Sequence, residues 1–146
     1  MIENSIESFL SRYTVPSRLY ASNGTTLKKI NHGFVTYQAS NANGDRIQTF
    51  FMCNGTETTL ALTTRPRLGN GIFDLYVNGV LDSSGYDDYA AVTITKHIEI
   101  TLTESIKKGL NLIEFRMNGK NGASSGYLCN VVGVALKWLI MKLCMY

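Results

Sequence analysis

"AVTITKHIEITL", residues 91–102, alternates from end to end. Val92, Ile94, Ile98, Ile100 and Leu102 fall on one side of an extended chain, with Lys96 as the single polar member of that row. Thr93, Thr95, His97, Glu99 and Thr101 fall on the other side. Side chains of a strand point to opposite faces in turn, so the pattern is that of a half-buried antiparallel strand. The expectation is a strand over 90–102 with the apolar row inward.

Outward from that stretch the chain repeats one theme. Seven Asn-Gly pairs begin at Asn23, Asn43, Asn54, Asn70, Asn78, Asn118 and Asn121. Asn-Gly suits a type I′ turn, whose two central residues both need positive φ. Between the pairs lie runs rich in Val, Ile, Thr, Phe and Tyr, which read as strands near 18–21, 25–30, 33–40, 46–53, 56–65, 72–77, 110–117 and 127–138. Short strands with close turn signals predict an all-β protein, an antiparallel β-sandwich or jelly roll. Only the first ten residues have helical spacing, with Ile2, Ile6, Phe9 and Leu10 on one face and Pro16 ending the stretch. The expected organisation is an arm at 1–16, helical or extended, a sandwich at 17–138 and an apolar tail at 139–146.

Bulk properties narrow the function classes. A chain of 146 residues is one domain by length and long enough to bury a core without disulfides. The net charge of +3 is scattered, with no stripe suited to a phosphate backbone, so no nucleic-acid partner is expected. Cys53, Cys129 and Cys144 are odd in number and lack Cys-x-x-Cys spacing, which predicts buried free thiols. The first residues carry acids where a signal peptide needs a basic region, so the protein is expected to fold in a reducing cytoplasm. Val131 to Tyr146 is mostly apolar but spans only 16 residues and contains Lys137 and Lys142. Crossing a bilayer takes about 20, so no membrane partner is expected.

Catalytic motifs fail in turn. "GASSG" at 122–126 matches the nucleophile-elbow pattern, yet no Asp, Glu or His follows it, and a strand-like run stands where a helix belongs. His32 and His97 are far apart and far from any cysteine pair, so no zinc site is expected. Asp82, Asp87 and Asp88 are oxygen donors of the kind calcium takes, with loop solvation as the preferred reading. No carboxylate pair is singled out for glycoside hydrolysis, and "GNG" at 69–71 is a turn rather than a dinucleotide fingerprint. The chain is therefore expected to be non-enzymatic, with no cofactor and no metal.

The sequence Ser-Ser-Gly-Tyr occurs twice, at 83–86 and 124–127, each time after an apolar run and an Asn-Gly pair. Convergent turn chemistry is preferred to internal duplication, because the shared stretch is short. Either way the copies define a candidate glycan site: Tyr86, Asp87, Asp88 and Tyr89 from one, Asn121 and Tyr127 from the other. Aromatic faces stack on sugar rings while polar groups bond hydroxyls. The competing reading is that these tyrosines only pack the sandwich edge.

Two resemblances add to this. "FDLYVNGVLDSSGY" (73–86), "ITLTESIKKGLNLIEF" (100–115) and "NGKNGASSGYLCNVVGVAL" (118–136) together resemble the second half of galactose-binding-like jelly rolls, a group that includes many carbohydrate-binding modules. The likeness centres on "KKGLNLI" at 107–113, where Gly109 and Asn111 would shape the turn into the next strand. The chain also looks like small virion-surface proteins of tailed bacteriophages, of the head-decoration or head-fibre type. That likeness implies a virion structural protein made in the host cytoplasm, decorating a capsid or forming part of a fibre. It implies a homo-oligomer, a trimer favoured, with major capsid or other virion proteins as partners. Ile2, Ile6, Phe9, Leu10, Trp138, Ile140 and Leu143 would then be assembly contacts. The virion role is the leading expectation, and a module reading a host-surface glycan is the alternative.

Overall fold

The computed structural model describes residues 42–137 in full and, before them, the backbone of four strands: Tyr13–Thr14 (β1), Arg18–Ser22 (β2), Thr26–Lys29 (β3) and Val35–Ala39 (β4). Seven more follow: Arg46–Asn54 (β5), Thr59–Thr64 (β6), Ile72–Val77 (β7), Val80–Asp87 (β8), Lys96–Thr101 (β9), Lys108–Met117 (β10) and Cys129–Lys137 (β11). Among the described residues there is no helix. The expected arm up to residue 12, its Pro16, the apolar tail and all seven assembly candidates lie outside the described residues.

Two antiparallel sheets make the sandwich. One runs β3-β4-β11-β6-β9, with β1 also pairing β11, and the other runs β2-β5-β10-β7-β8. The core between them is filled by alternate residues: Ile47, Phe51 and Cys53 from β5, Leu60 and Leu62 from β6, Phe73, Leu75 and Val77 from β7, Ile113, Phe115 and Met117 from β10. Phe73 and Phe115 meet edge to face with centroids 5.7 Å apart. Each such side chain, fully buried, contributes about 1.5–3 kcal/mol. Cys53 and Cys129 are buried free thiols, as the sequence implied, and burial pushes the Cys53 thiol up to about 11.

Of the six Asn-Gly pairs among the described residues, one forms the predicted type I′ turn; at Asn43, Asn54, Asn70, Asn118 and Asn121 the asparagine does not take positive φ. Asn78 and Gly79 take φ of 50° and 84° between β7 and β8, the double positive φ of a type I′ turn. Asn111 is buried and shapes the turn before its strand: its amide donates to the carbonyls of Lys107 and Gly109, at 2.8 and 3.0 Å, and its oxygen accepts from Lys107 N. The "KKGLNLI" stretch therefore does what the resemblance implied.

Two expectations need correction. Residues 80–87, which fall outside the predicted strands, are the edge strand β8, paired to β7 through two register shifts. The alternating stretch forms a strand only from Lys96, and Val92 and Ile94 are 73% and 49% exposed instead of buried. The partner explains the second error. β9 pairs β6 from Thr64↔Lys96, and β6 stops there, one residue before Arg65-Pro66. Proline has no N–H to continue a ladder. Residues 89–94 are held elsewhere, by Ala90 N donating to Arg67 O and Ile94 N to Pro66 O. His97 is exposed, with Nδ1 2.8 Å from Thr63 Oγ1.

Candidate functional site

The six glycan candidates, two of them in β8, converge at one end of the sandwich, and the structure gives them different tasks. Asn121 Nδ2 donates to Asp87 Oδ2 at 2.9 Å, so the two Ser-Ser-Gly-Tyr segments do meet. Asp87 Oδ1 also accepts from Tyr89 N. Tyr86 turns inward: its ring stacks on Phe73 at 5.2 Å, and its hydroxyl donates to Ser83 Oγ. Tyr127 is half-buried, with Lys120 Nζ 5.2 Å over its ring. Tyr89 is likewise half-buried.

Asp88 is only 1% exposed. Its Oδ1 accepts from Thr64 Oγ1 and its Oδ2 from Asn70 Nδ2, both at 2.8 Å. Asn70 in turn accepts from Asn130 Nδ2 through its side chain and from Ser124 Oγ, at 2.6 Å, through its carbonyl. Burial pushes the Asp88 carboxyl from its ordinary 3.8 to about 6, against the pull of Thr64, Asn70 and Lys96. A buried polar group must be paired or it costs stability, and here each one is used to lock loops 65–71, 88–90 and 124–128 to the ends of β6 and β11. Ser124 is the serine of the elbow-like motif. Its hydroxyl is buried among carbonyl oxygens of Leu68, Asn70 and Gly126, a structural role that removes it from nucleophilic chemistry.

A second constellation escaped the sequence reading. It lies on the outer face of the five-stranded sheet. Along β10, Glu114 and Arg116 point away from the core, and register sets Arg116 between Arg46 and Asp74, and Glu114 between Gln48 and Tyr76. Glu114 Oε1 accepts from Arg116 Nη2 at 2.9 Å, while Oε2 accepts from Gln48 Nε2 at 3.0 Å and faces Arg46 Nη1 at 3.5 Å. The Arg116 guanidinium lies 3.8 Å from the centre of the Tyr76 ring. Asp74 accepts from Gly85 N and Asn118 Nδ2. Asn43, Gly44, Arg46, Asp74, Tyr76, Arg116, Met117 and Asn118 line a cleft of about 450 Å³ there.

The sequence held one clue to this cleft. "FDLY" and "EFRM" each place two polar or aromatic residues on the non-core phase of a strand, but nothing local says that they become neighbours. Among the described residues no three acidic, histidine or cysteine side chains gather as a metal site would require. Asp82, Asp87 and Asp88 serve separate contacts. Asp82 Oδ1 accepts from Thr103 N and Glu104 N, and its Oδ2 is buried with no partner among the described residues.

No family model and no curated protein matches the sequence. Solved structures do match the fold. The CBM36-1 domain of a multidomain xylanase from the hindgut metagenome of Trinervitermes trinervoides aligns with TM-score 0.57 and 17% identity, over 87% of this chain and 96% of that one. The carbohydrate-binding module CBM36 in complex with calcium and xylotriose aligns with TM-score 0.56 and 14% identity, over 84% and 96%. Paenibacillus xanthan lyase gives TM-score 0.64 and 18% identity over 86% of this chain, which spans only 13% of that enzyme's length. The chain thus has the jelly-roll sandwich of carbohydrate-binding modules. None of these three is a virion protein.

Proposed function

We propose that this protein is a non-enzymatic glycan-binding module that takes a sugar chain in the cleft beside Tyr76. The observation that carries this reading is the cleft itself, with guanidinium, carboxamide and carboxylate groups around a half-buried tyrosine ring. A sugar offers an apolar ring face and a rim of hydroxyls, so a site for it needs an aromatic wall and planar polar groups held in place. Arg116 and Asp74 are held by Glu114 and by Asn118 and Gly85, which leaves little to reorganise on binding. The likeness to carbohydrate-binding modules supports the same reading from the side of the fold. The capsid-decoration reading draws no such support. Tyr127, Tyr89, Asn121 and Asp87 remain at the surface beyond the cleft and form the rival contact.

Affinity electrophoresis and a glycan array, run with neutral and acidic polysaccharides, test the proposal. Saturable binding is expected, weakened at least about tenfold by Tyr76→Ala and unchanged by Tyr127→Ala. Silence across the panel overturns glycan binding. Binding lost in Tyr127→Ala and kept in Tyr76→Ala moves the contact to the loop end.

A further inference from the structure

Resting on that reading, we infer that the cleft selects acidic sugars, holding the carboxylate of a uronate residue between Arg46 and Arg116. The charges at this place nearly balance in number but not in position. The side chains of Arg46 and Arg116 are 35% and 30% exposed, whereas that of Glu114 is 2% exposed. Asp74 is 4% exposed. The carboxylates lie beneath their donors and the guanidiniums reach the opening. What a ligand meets is therefore cationic and rich in N–H.

Glu114 is a single carboxylate shared between two arginines. Arg116 gives it only Nη2 among the described residues, and a guanidinium carries five N–H donors. Its Nε is buried and its plane is held against Tyr76, so the donors left at its Nη end are fixed in direction before any ligand arrives. A planar carboxylate matches that edge better than a hydroxyl does, because it accepts two parallel N–H bonds and carries the opposite charge.

Asp74 opposes an anion, and register says where the opposition is weakest. Asp74, Arg116 and Arg46 lie side by side on β7, β10 and β5. Strands are about 4.8 Å apart, which puts Arg46 about 10 Å from Asp74 in the sheet. That is about twice its distance from Arg116, so the repulsion from Asp74 is weaker on the Arg46 side. Both Asp74 oxygens are moreover occupied by neutral donors, Gly85 N and Asn118 Nδ2. The uronate carboxylate belongs on the Arg46 side of Arg116, and the rest of the sugar lies toward Tyr76 and Asn118.

The test compares polygalacturonate and glucuronoxylan with their carboxyl-reduced forms, by affinity electrophoresis at low and high salt. The acidic forms are expected to bind at least about tenfold tighter than the reduced ones at low salt, and the difference should shrink as salt is added. Arg46→Gln, which leaves Glu114 bonded to Arg116 and Gln48, should bring the binding of acidic and reduced forms to the same strength; Arg46→Lys should restore part of the preference. Equal binding of acidic and reduced forms overturns the uronate assignment and leaves the glycan-binding proposal standing. A preference that survives in folded Arg46→Gln and Arg116→Gln also overturns it. Failure to bind either form, with silence on the wider array, overturns both.

Discussion

In β8 the segment Ser83-Ser84-Gly85-Tyr86 runs as a bulged edge strand, whereas Ser124-Ser125-Gly126-Tyr127 closes a loop over residues 68–71. The four letters are identical and the roles are reversed. In the first copy the tyrosine is structural, its ring stacked on Phe73, and Ser83 only receives its hydroxyl. In the second the serine is structural, with Ser124 Oγ buried among three carbonyls, and the tyrosine stays half-exposed beside Lys120. Gly85 takes φ of +83° in the first copy, where Asp74 captures its N–H. A side chain's role follows from what packs against it, and neighbours in the chain supply only part of that.

The contrast can be broken at either tyrosine or serine. Tyr86→Ala should have the largest effect, destabilising by about 3 kcal/mol in urea unfolding, since it empties a site against Phe73. A loss comparable to that of a surface residue would show that the ring is not part of the core. The link between the copies comes next. Asp88 bonds Asn70, whose carbonyl accepts Ser124, so its titration is felt by both. Its folded-state value, about 6, lies above its ordinary 3.8. The folded form therefore binds the extra proton within that window, and stability contributed at this site falls as pH rises through it, levelling above about 6. The decline is on the order of 2–3 kcal/mol.

Asp88→Asn should flatten that part of the profile, read as the difference between wild-type and variant melting across pH 3.5 to about 7. Its amide oxygen still accepts from Asn70, and its NH₂ meets a Thr64 hydroxyl that can turn to accept. Identical profiles would refute the burial argument. Ser124→Ala should cost about 2 kcal/mol by leaving buried carbonyls unbonded. A cost below about 0.5 kcal/mol would mean that other donors replace it. Tyr127→Ala should be the mildest, under about 1 kcal/mol, because the ring is half-exposed and its cation–π contact with Lys120 is a weak one. A larger loss would give both tyrosines the same role and dissolve the contrast.

Local patterns made much of the fold legible. The run Ile72–Val77 followed by Asn78-Gly79 reads directly as a strand and a type I′ turn, because alternation and positive φ are properties of a few adjacent residues. Asn111 in its turn is legible for the same reason. Val92 and Ile94 were misread because alternation states that a strand could form, not that a partner is there to receive it; β6 ends before them. The polar letters of β8 hid a strand that β7 recruits by pairing.

The cleft shows the same division at the level of function. Alternation along "FDLY" and "EFRM" puts Asp74, Tyr76, Glu114 and Arg116 on the non-core phase of their strands, where nothing local marks them as a site. Sequence alone equally determined an all-β chain, the type I′ turn at Asn78-Gly79 and the burial of Cys53 and Cys129. Only the tertiary structure decided that Arg46, Arg116 and Asp74, drawn from strands far apart in the chain, share one row, and that Glu114 is buried beneath two guanidiniums. Register between distant strands is set by the packing of the whole core, and no window of neighbouring residues contains it.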